Sequence, residues 1–202
     1  METLSLLLDT NVLRYRAHKD NQYKVTPLWN LIRLYPNNID LFISQTTVEE
    51  LEVQRYLLKE AELRKLDKLL DIVDILKCNT TDNDVHETRR VSSYIAGKYA
   101  LRRSDDPKKR MDVPSTNDAK ILLTAYEHKC HIVTRNIKDF ILYPCLQDGY
   151  SLWNCESNSS HLILPLKREE LRKDPNIKKY INRITSPNIV ESIEERFYIE
   201  KN

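Results

Sequence analysis

Four acidic residues stand where the chemistry of this chain is to be sought: Asp9 at the end of LSLLLD, Glu50 in ISQTTVEEL, Asp118 in STNDAKILLTA and Asp139 in TRNIKDF. Each falls where a strand or loop is expected to give way to a helix. They are too far apart in sequence to serve one local need. Brought together by a fold, their charges repel, their pKa values rise, and the pocket calls for a divalent cation. Mg²⁺ is a hard ion that prefers oxygen and is held by one or two carboxylates plus substrate phosphates. The chemistry implied is that of a metal-dependent nuclease, with Asp9, Glu50, Asp118 and Asp139 as catalytic and metal-binding residues.

Each acid also has a plain structural explanation. Asp9 suits a helix N-cap. Thr46-x-x-Glu49, Thr47-x-x-Glu50 and Ser115-x-x-Asp118 all fit a capping box, in which the acid reaches back to the cap amide. Asp139 reads as a solvated helix residue. Caps need not converge, however, so four acids at strand ends favour a site. Basic residues accompany them: Arg14, Arg16 and Lys19 follow Asp9, Lys129, Arg135 and Lys138 flank Asp139, and Arg102, Arg103, Lys108, Lys109 and Arg110 form a basic loop before Asp118. A charge run is usually a solvated face, but cations beside the acids suit phosphate contact.

The elements that must position these residues follow from pattern. LSLLL (4–8) reads as a buried parallel strand, followed by a helix to about 18. Thr26 is expected to cap a helix with Pro27 in its first turn, ended by Pro36-Asn37-Asn38. IDLFIS (39–44) is the second strand. Thr46 or Thr47 should open a long helix toward 59, with a second helical run over 61–76. A helix near 84–103 carries Val91, Tyr94, Ile95 and Tyr99, and RRSDDPKKRMDVP is a loop. A helix over 118–128 precedes the strand HIVT (131–134), a short helix near 136–141 and a strand near 150–153. This alternation predicts an α/β fold, a parallel sheet with helices on both faces. Residues 1–153 are expected to form that domain and 154–202 a C-terminal extension.

Composition narrows the field. The chain has 202 residues, 41% hydrophobic and 31% charged, with net charge +2; this suits one globular domain with a sizeable core, or one domain plus an appendage. No run approaches the roughly 20 apolar residues that span a bilayer, and the N-terminus lacks a basic start and small-residue cleavage site. A cytoplasmic location without membrane contact is therefore expected. The four cysteines form no CxxC pair and read as reduced, mostly buried thiols. HKCH at 128–131 lacks a second ligand pair for zinc. With only two glycines in the chain, a glycine-rich phosphate loop is excluded.

DTNVL after an apolar strand, S-x-x-T-x-x-E-L as Ser44 to Leu51, NDAKILLTA as Asn117 to Ala125, and VTRNIKDF as Val133 to Phe140 together resemble the PIN-domain ribonucleases. The arrangement is most similar to the VapC-type toxins of toxin–antitoxin pairs, over about residues 4–153. The resemblance implies a twisted parallel sheet between helices, Mg²⁺ or Mn²⁺ as cofactor, and hydrolysis of RNA phosphodiesters. Asp9, Glu50 and Asp118 would hold the metal, with Asp139 as the most variable fourth acid. Asn11, Thr134 and Asn136 match supporting positions, and Glu50 rather than Glu49 takes the acidic one. Arg14, Arg135 and the loop Arg102, Arg103, Lys108, Lys109 and Arg110 would guide the backbone of single-stranded or looped RNA, with Tyr15, Trp29 and Tyr99 read mainly as core or groove wall. An antitoxin and a homodimer are the partners implied. The longer stretch between Glu50 and Asp118, the tail beyond 153 and a basic loop without glycine depart from the compact toxins.

Two other functions fit parts of the sequence. A catalytically silent domain could tether RNA or assemble with protein while keeping the fold. A phosphatase with an aspartyl nucleophile would want a second aspartate two residues after the first, where Asn11 stands instead.

Overall fold

The alternation of apolar residues in the first strand decides the layering. In β1 (Leu4–Leu8), Leu7 points to one side of the sheet while Leu6 and Leu8 point to the other, all fully buried, as the two-residue repeat of a strand requires. The computed structural model of the chain describes residues 3–98, 113–146, 151–156 and 168–185. Among them, β1, β2 (Ile39–Ser44), β3 (Asp74–Leu76), β4 (His131–Thr134) and β5 (Leu152–Asn154) form one sheet, ordered β3-β2-β1-β4-β5 and parallel throughout. Leu6 pairs with Leu41 on one side and His131 on the other.

On the Leu6 and Leu8 face lie α1 (Thr10–Ala17), α2 (Thr26–Leu34), α3 (Gln45–Gln54) and α4 (Glu60–Leu70), through Val12, Leu13, Trp29, Leu51 and Leu66. The Leu7 face is covered by α5 (Asp82–Lys98), α6 (Thr116–Glu127), α7 (Tyr143–Leu146), α8 (Arg168–Lys173) and α9 (Pro175–Thr185). Leu171, Ile177 and Tyr180 from α8 and α9 join the same apolar cluster as Leu7. The described part of the region beyond 154 therefore completes that face.

Several expectations are corrected. Thr26 is not a cap: a 3-10 turn over Gln22–Val25 runs straight into α2, so Thr26 lies inside the first turn and its hydroxyl donates to the Gln22 carbonyl at 3.1 Å. Neither Thr46 nor Thr47 opens α3. Ser44 caps it, accepting from the Thr47 N–H at 3.0 Å, so the threonine capping boxes with Glu49 and Glu50 do not form. The expected helix to 59 stops at Gln54 and gives way to a 3-10 turn, Arg55–Leu57. The run 61–76 is not one helix, because its last three residues are β3. This short strand borders only β2 and leaves Asp74 and Ile75 exposed, so it lacks the apolar alternation that marks a covered strand. The helix α7 was not anticipated; its four residues are all buried, and so short a run shows no period.

The link from α6 to β4 turns on Lys129, whose φ of 55° is left-handed. It serves as the usual terminal residue of a helix without being glycine, and the Cys130 N–H donates back to the Ala125 carbonyl at 2.9 Å. HKCH is accordingly a junction: the His128 ring bonds the Lys77 carbonyl at 2.7 Å and His131 bonds the Ser151 hydroxyl at 2.6 Å. Cys130, Cys145 and Cys155 are buried and Cys78 partly so, all as free thiols. Among the described residues, no helix is long and apolar enough to cross a membrane.

Candidate active site

From β1 the chain moves outward to β2, whereas from β4 it moves the opposite way to β5. The reversal leaves a crevice beyond the carboxyl ends of β1 and β4, where open parallel sheets bind ligands. Asp9 stands at the end of β1 and Thr134 ends β4.

Asp9 occupies the N-cap position of α1, but its side chain makes no capping bond. Instead its Oδ2 accepts from the Thr134 hydroxyl at 2.6 Å and from the Asn11 amide. Thr134 Oγ1 also meets two donors, the Asn136 N–H at 2.9 Å and Asn11 Nδ2 at 3.3 Å. Its single proton is thus committed to Asp9. Asn11 completes the bridge by accepting the Arg135 N–H at 3.1 Å. Asn136 takes part through its backbone.

The Asp9 carboxyl is 4% exposed, and burial is the main force pushing it up from an ordinary 3.8. The Thr134 hydroxyl opposes this, the charge of Asp118 adds to it, the Thr10 N–H opposes it and the charge of Glu50 adds again, leaving it at about 7. The structure therefore brings Asp9, Glu50 and Asp118 into one electrostatic neighbourhood.

Glu50 is half-buried, whereas Glu49 beside it is exposed. Its Oε1 accepts from Asn117 Nδ2 at 2.8 Å and its Oε2 from the Thr10 hydroxyl. Thr10 and Asn117 were missed as functional candidates, although each adjoins an acid, in Asp9-Thr10 and Asn117-Asp118. Asp118 fulfils its structural reading as well: Oδ2 accepts from the Ser115 N–H at 2.8 Å while Ser115 Oγ accepts from the Asp118 N–H at 3.0 Å. One carboxylate both closes the capping box of α6 and bears on Asp9.

Asp139 does not fit its plain alternative of a solvated helix residue. It lies in a 3-10 turn, Ile137–Phe140, is 8% exposed, and has Lys138 Nζ at 4.0 Å. Arg14 and Arg135 are exposed beside the crevice elements. Trp29 is buried and Tyr15 half-buried. Arg102, Arg103, Lys108, Lys109, Arg110 and Tyr99 lie outside the described residues.

The donor set of Asp9, Glu50 and Asp118 is all oxygen, which suits a hard divalent ion, and a cation would offset the burial and the neighbouring negative charges that raise Asp9. In the present arrangement these oxygens serve a hydrogen-bond network. Among the described residues, no three acidic, histidine or cysteine side chains are gathered as a ready ligand set.

Residues 5–138 match the PIN domain family. No curated protein matches the chain. The fold is shared with VapBC2 from Rickettsia felis, solved bound to a DNA fragment from their promoter: TM-score 0.50 and 20% identity over 75% of this chain and 98% of that one. It is shared likewise with FitAB bound to an IR36 DNA fragment, at TM-score 0.52 and 21% identity over 77% of this chain and 99% of that one.

Proposed function

Because the chain belongs to the PIN-domain family, we propose that it is a metal-dependent endoribonuclease, a toxin of a toxin–antitoxin pair, cutting single-stranded RNA in the crevice beyond β1 and β4. The observation that carries this reading is the buried Asp9 carboxylate, pushed to about 7 with Asp118 and Glu50 adding to the push. A structural acid would be compensated in place, whereas this one is left for a cation. Mg²⁺ or Mn²⁺, when bound, supplies charge neutralisation and an activated water. Asp9, Glu50 and Asp118 hold the ion, and Asp139 acts from the adjoining turn. Thr134 and Asn11 fix the Asp9 carboxylate, while Thr10 and Asn117 fix that of Glu50. Such supporting bonds are worth about 10–100-fold in metal affinity or activity. Arg14 and Arg135, with the basic loop 102–110, hold the RNA backbone.

The nuclease domain is 1–153 and residues 154–202 are an extension, of which α8 and α9 form part of the core. An antitoxin partner, a homodimer and a cytoplasmic location belong to the same reading.

One observation favours a catalytically silent module: both Glu50 oxygens and one oxygen of Asp118 are already hydrogen-bonded. Incubating the purified protein with total RNA in EDTA, Mg²⁺ or Mn²⁺, beside Asp118→Asn, separates the two. Cleavage that needs metal and disappears in the variant supports the nuclease. A folded, metal-replete wild type that cuts nothing sinks it in favour of the silent module.

A further inference from the structure

A row of cations and rings leads away from the acids. Arg135, whose N–H donates to Asn11, sends Nη1 to the Tyr15 hydroxyl at 2.8 Å, with its guanidinium carbon 5.6 Å from the Tyr15 ring centre. Lys24 Nζ lies 4.9 Å from the same ring and 5.8 Å from that of Tyr23. Tyr23 is 70% exposed. Among the described residues, the Glu156 carboxylate adjoins the row, with Oε1 at 2.9 Å from Arg135 Nε.

Tyr15 is half-buried and packs against the core below α1, but packing does not account for Tyr23 at the outer end of the row. The contrast is Arg16, 5.2 Å from the Trp29 ring: Trp29 is 6% exposed and belongs to the core, so that pairing is a lid on buried surface. Tyr23 covers little and faces water, in a turn whose buried residue is Val25. Cations alternating with rings, the outer ring of Tyr23 open to solvent, match a nucleic-acid strand whose bases are unstacked, because every base offers a flat face and every linkage a negative charge.

We propose that Arg135, Tyr15, Lys24 and Tyr23 form the track on which single-stranded RNA is held beside the acids. Arg135 takes the phosphate nearest Asp9, Lys24 takes one further along, Tyr15 spaces the two cations, and Tyr23 stacks a base at the outer end. In a duplex both faces of each base are covered by neighbours, so Tyr23 selects single strands. This rests on the nuclease reading and adds its substrate contacts, Tyr23 and Lys24 among them.

The test is binding of a short, unstructured, fluorescein-labelled RNA to the full chain in EDTA, followed by anisotropy, with the matching duplex in parallel. Tyr23→Phe should bind as wild type, whereas Tyr23→Ala should lose about 5- to 150-fold on the single strand and little on the duplex. Lys24→Gln should flatten the slope of log K against log salt by about 0.7. Wild type that cuts RNA with metal while Tyr23→Ala and Lys24→Gln bind unchanged overturns the track and leaves the nuclease standing. Equal losses for Tyr23→Phe and Tyr23→Ala, or for single strand and duplex, overturn the stacking role. If wild type neither binds nor cuts RNA, the nuclease reading fails and takes the track with it.

Discussion

Asp9 and Asp174 are each 4% exposed, one at the carboxyl edge of the sheet and one at the junction of α5 and α9. Burial pushes both upward, but their surroundings differ. Around Asp174, Lys98 forms an ion pair, Tyr94 donates its hydroxyl at 3.0 Å and the Asn176 N–H donates at 2.9 Å; these outweigh burial and bring the carboxyl down to about 2. Around Asp9 there are hydroxyl, amide and N–H donors, but also the negative charges of Asp118 and Glu50, and the result is about 7. A carboxylate that holds a fold together is given a cation by the protein. The other is kept short of one, at a cost in stability that a bound ion would remove.

That contrast can be broken most forcefully at Asp9 itself. Asp9→Asn should reduce metal-dependent RNA cleavage by well over about a hundredfold, since losing an outer supporting bond alone costs about 10–100-fold. It should also raise metal-free stability at pH 8, by at most about 4 kcal/mol for a carboxyl displaced from 3.8 to about 7. Urea unfolding in EDTA reads the second effect, and a less stable variant would show that Asp9 is a structural acid after all.

A pH series sharpens the same point without mutation. Asp9 binds its proton more tightly folded than unfolded, so it makes the metal-free protein more stable as pH falls from about 7 toward 3.8. Asp174 has the opposite sign: its contribution is complete above 3.8 and is lost as pH falls toward about 2. Metal-free stability attributable to the two should peak near their crossing, at about pH 4, and saturating Mg²⁺ should flatten the limb above it. An unchanged limb with Mg²⁺ would mean that no ion reaches Asp9.

Asp174→Asn should behave as the mirror image, losing about 1.5–3 kcal/mol of stability as charged hydrogen bonds disappear while cleavage per folded molecule is kept. A drop in specific activity would tie this junction to the site. The smallest effect on stability belongs to Asp118, which serves both purposes. Asp118→Asn keeps an oxygen for the Ser115 N–H, whereas Asp118→Ala should cost about 1 kcal/mol more through the lost cap. Both should be inactive, and equal thermal melting of the two would remove the capping half of the account.

Much of this architecture was legible. Covered strands such as LSLLL and HIVT carry their apolar residues openly, and Asp9, Glu50 and Asp118 stood out as acids far apart in sequence that each fall where a strand or loop gives way to a helix. What sequence hid depended on partners distant in the chain. Capping-box spacing misplaced the start of α3 at Thr46 or Thr47, because Ser44 at the strand end is the cap, which leaves Glu50 to Thr10 and Asn117. The exposed edge strand β3 lacked apolar alternation. The Asp174 cluster was missed because Lys98 lies 76 positions earlier, although Asp174-Pro175 carries the mark of a helix start.

The packing of α9 against Leu7 has a consequence for how the molecule comes into being. The residues of the crevice are contributed by the chain up to Asp139, whereas Ile177 and Tyr180 arrive only near its far end. A ribosome therefore delivers every acid before it delivers the cover that shields the opposite face. During that interval a nascent chain already carries the destructive chemistry proposed for it, while the apolar surface awaiting α9 is open to chaperones and proteases.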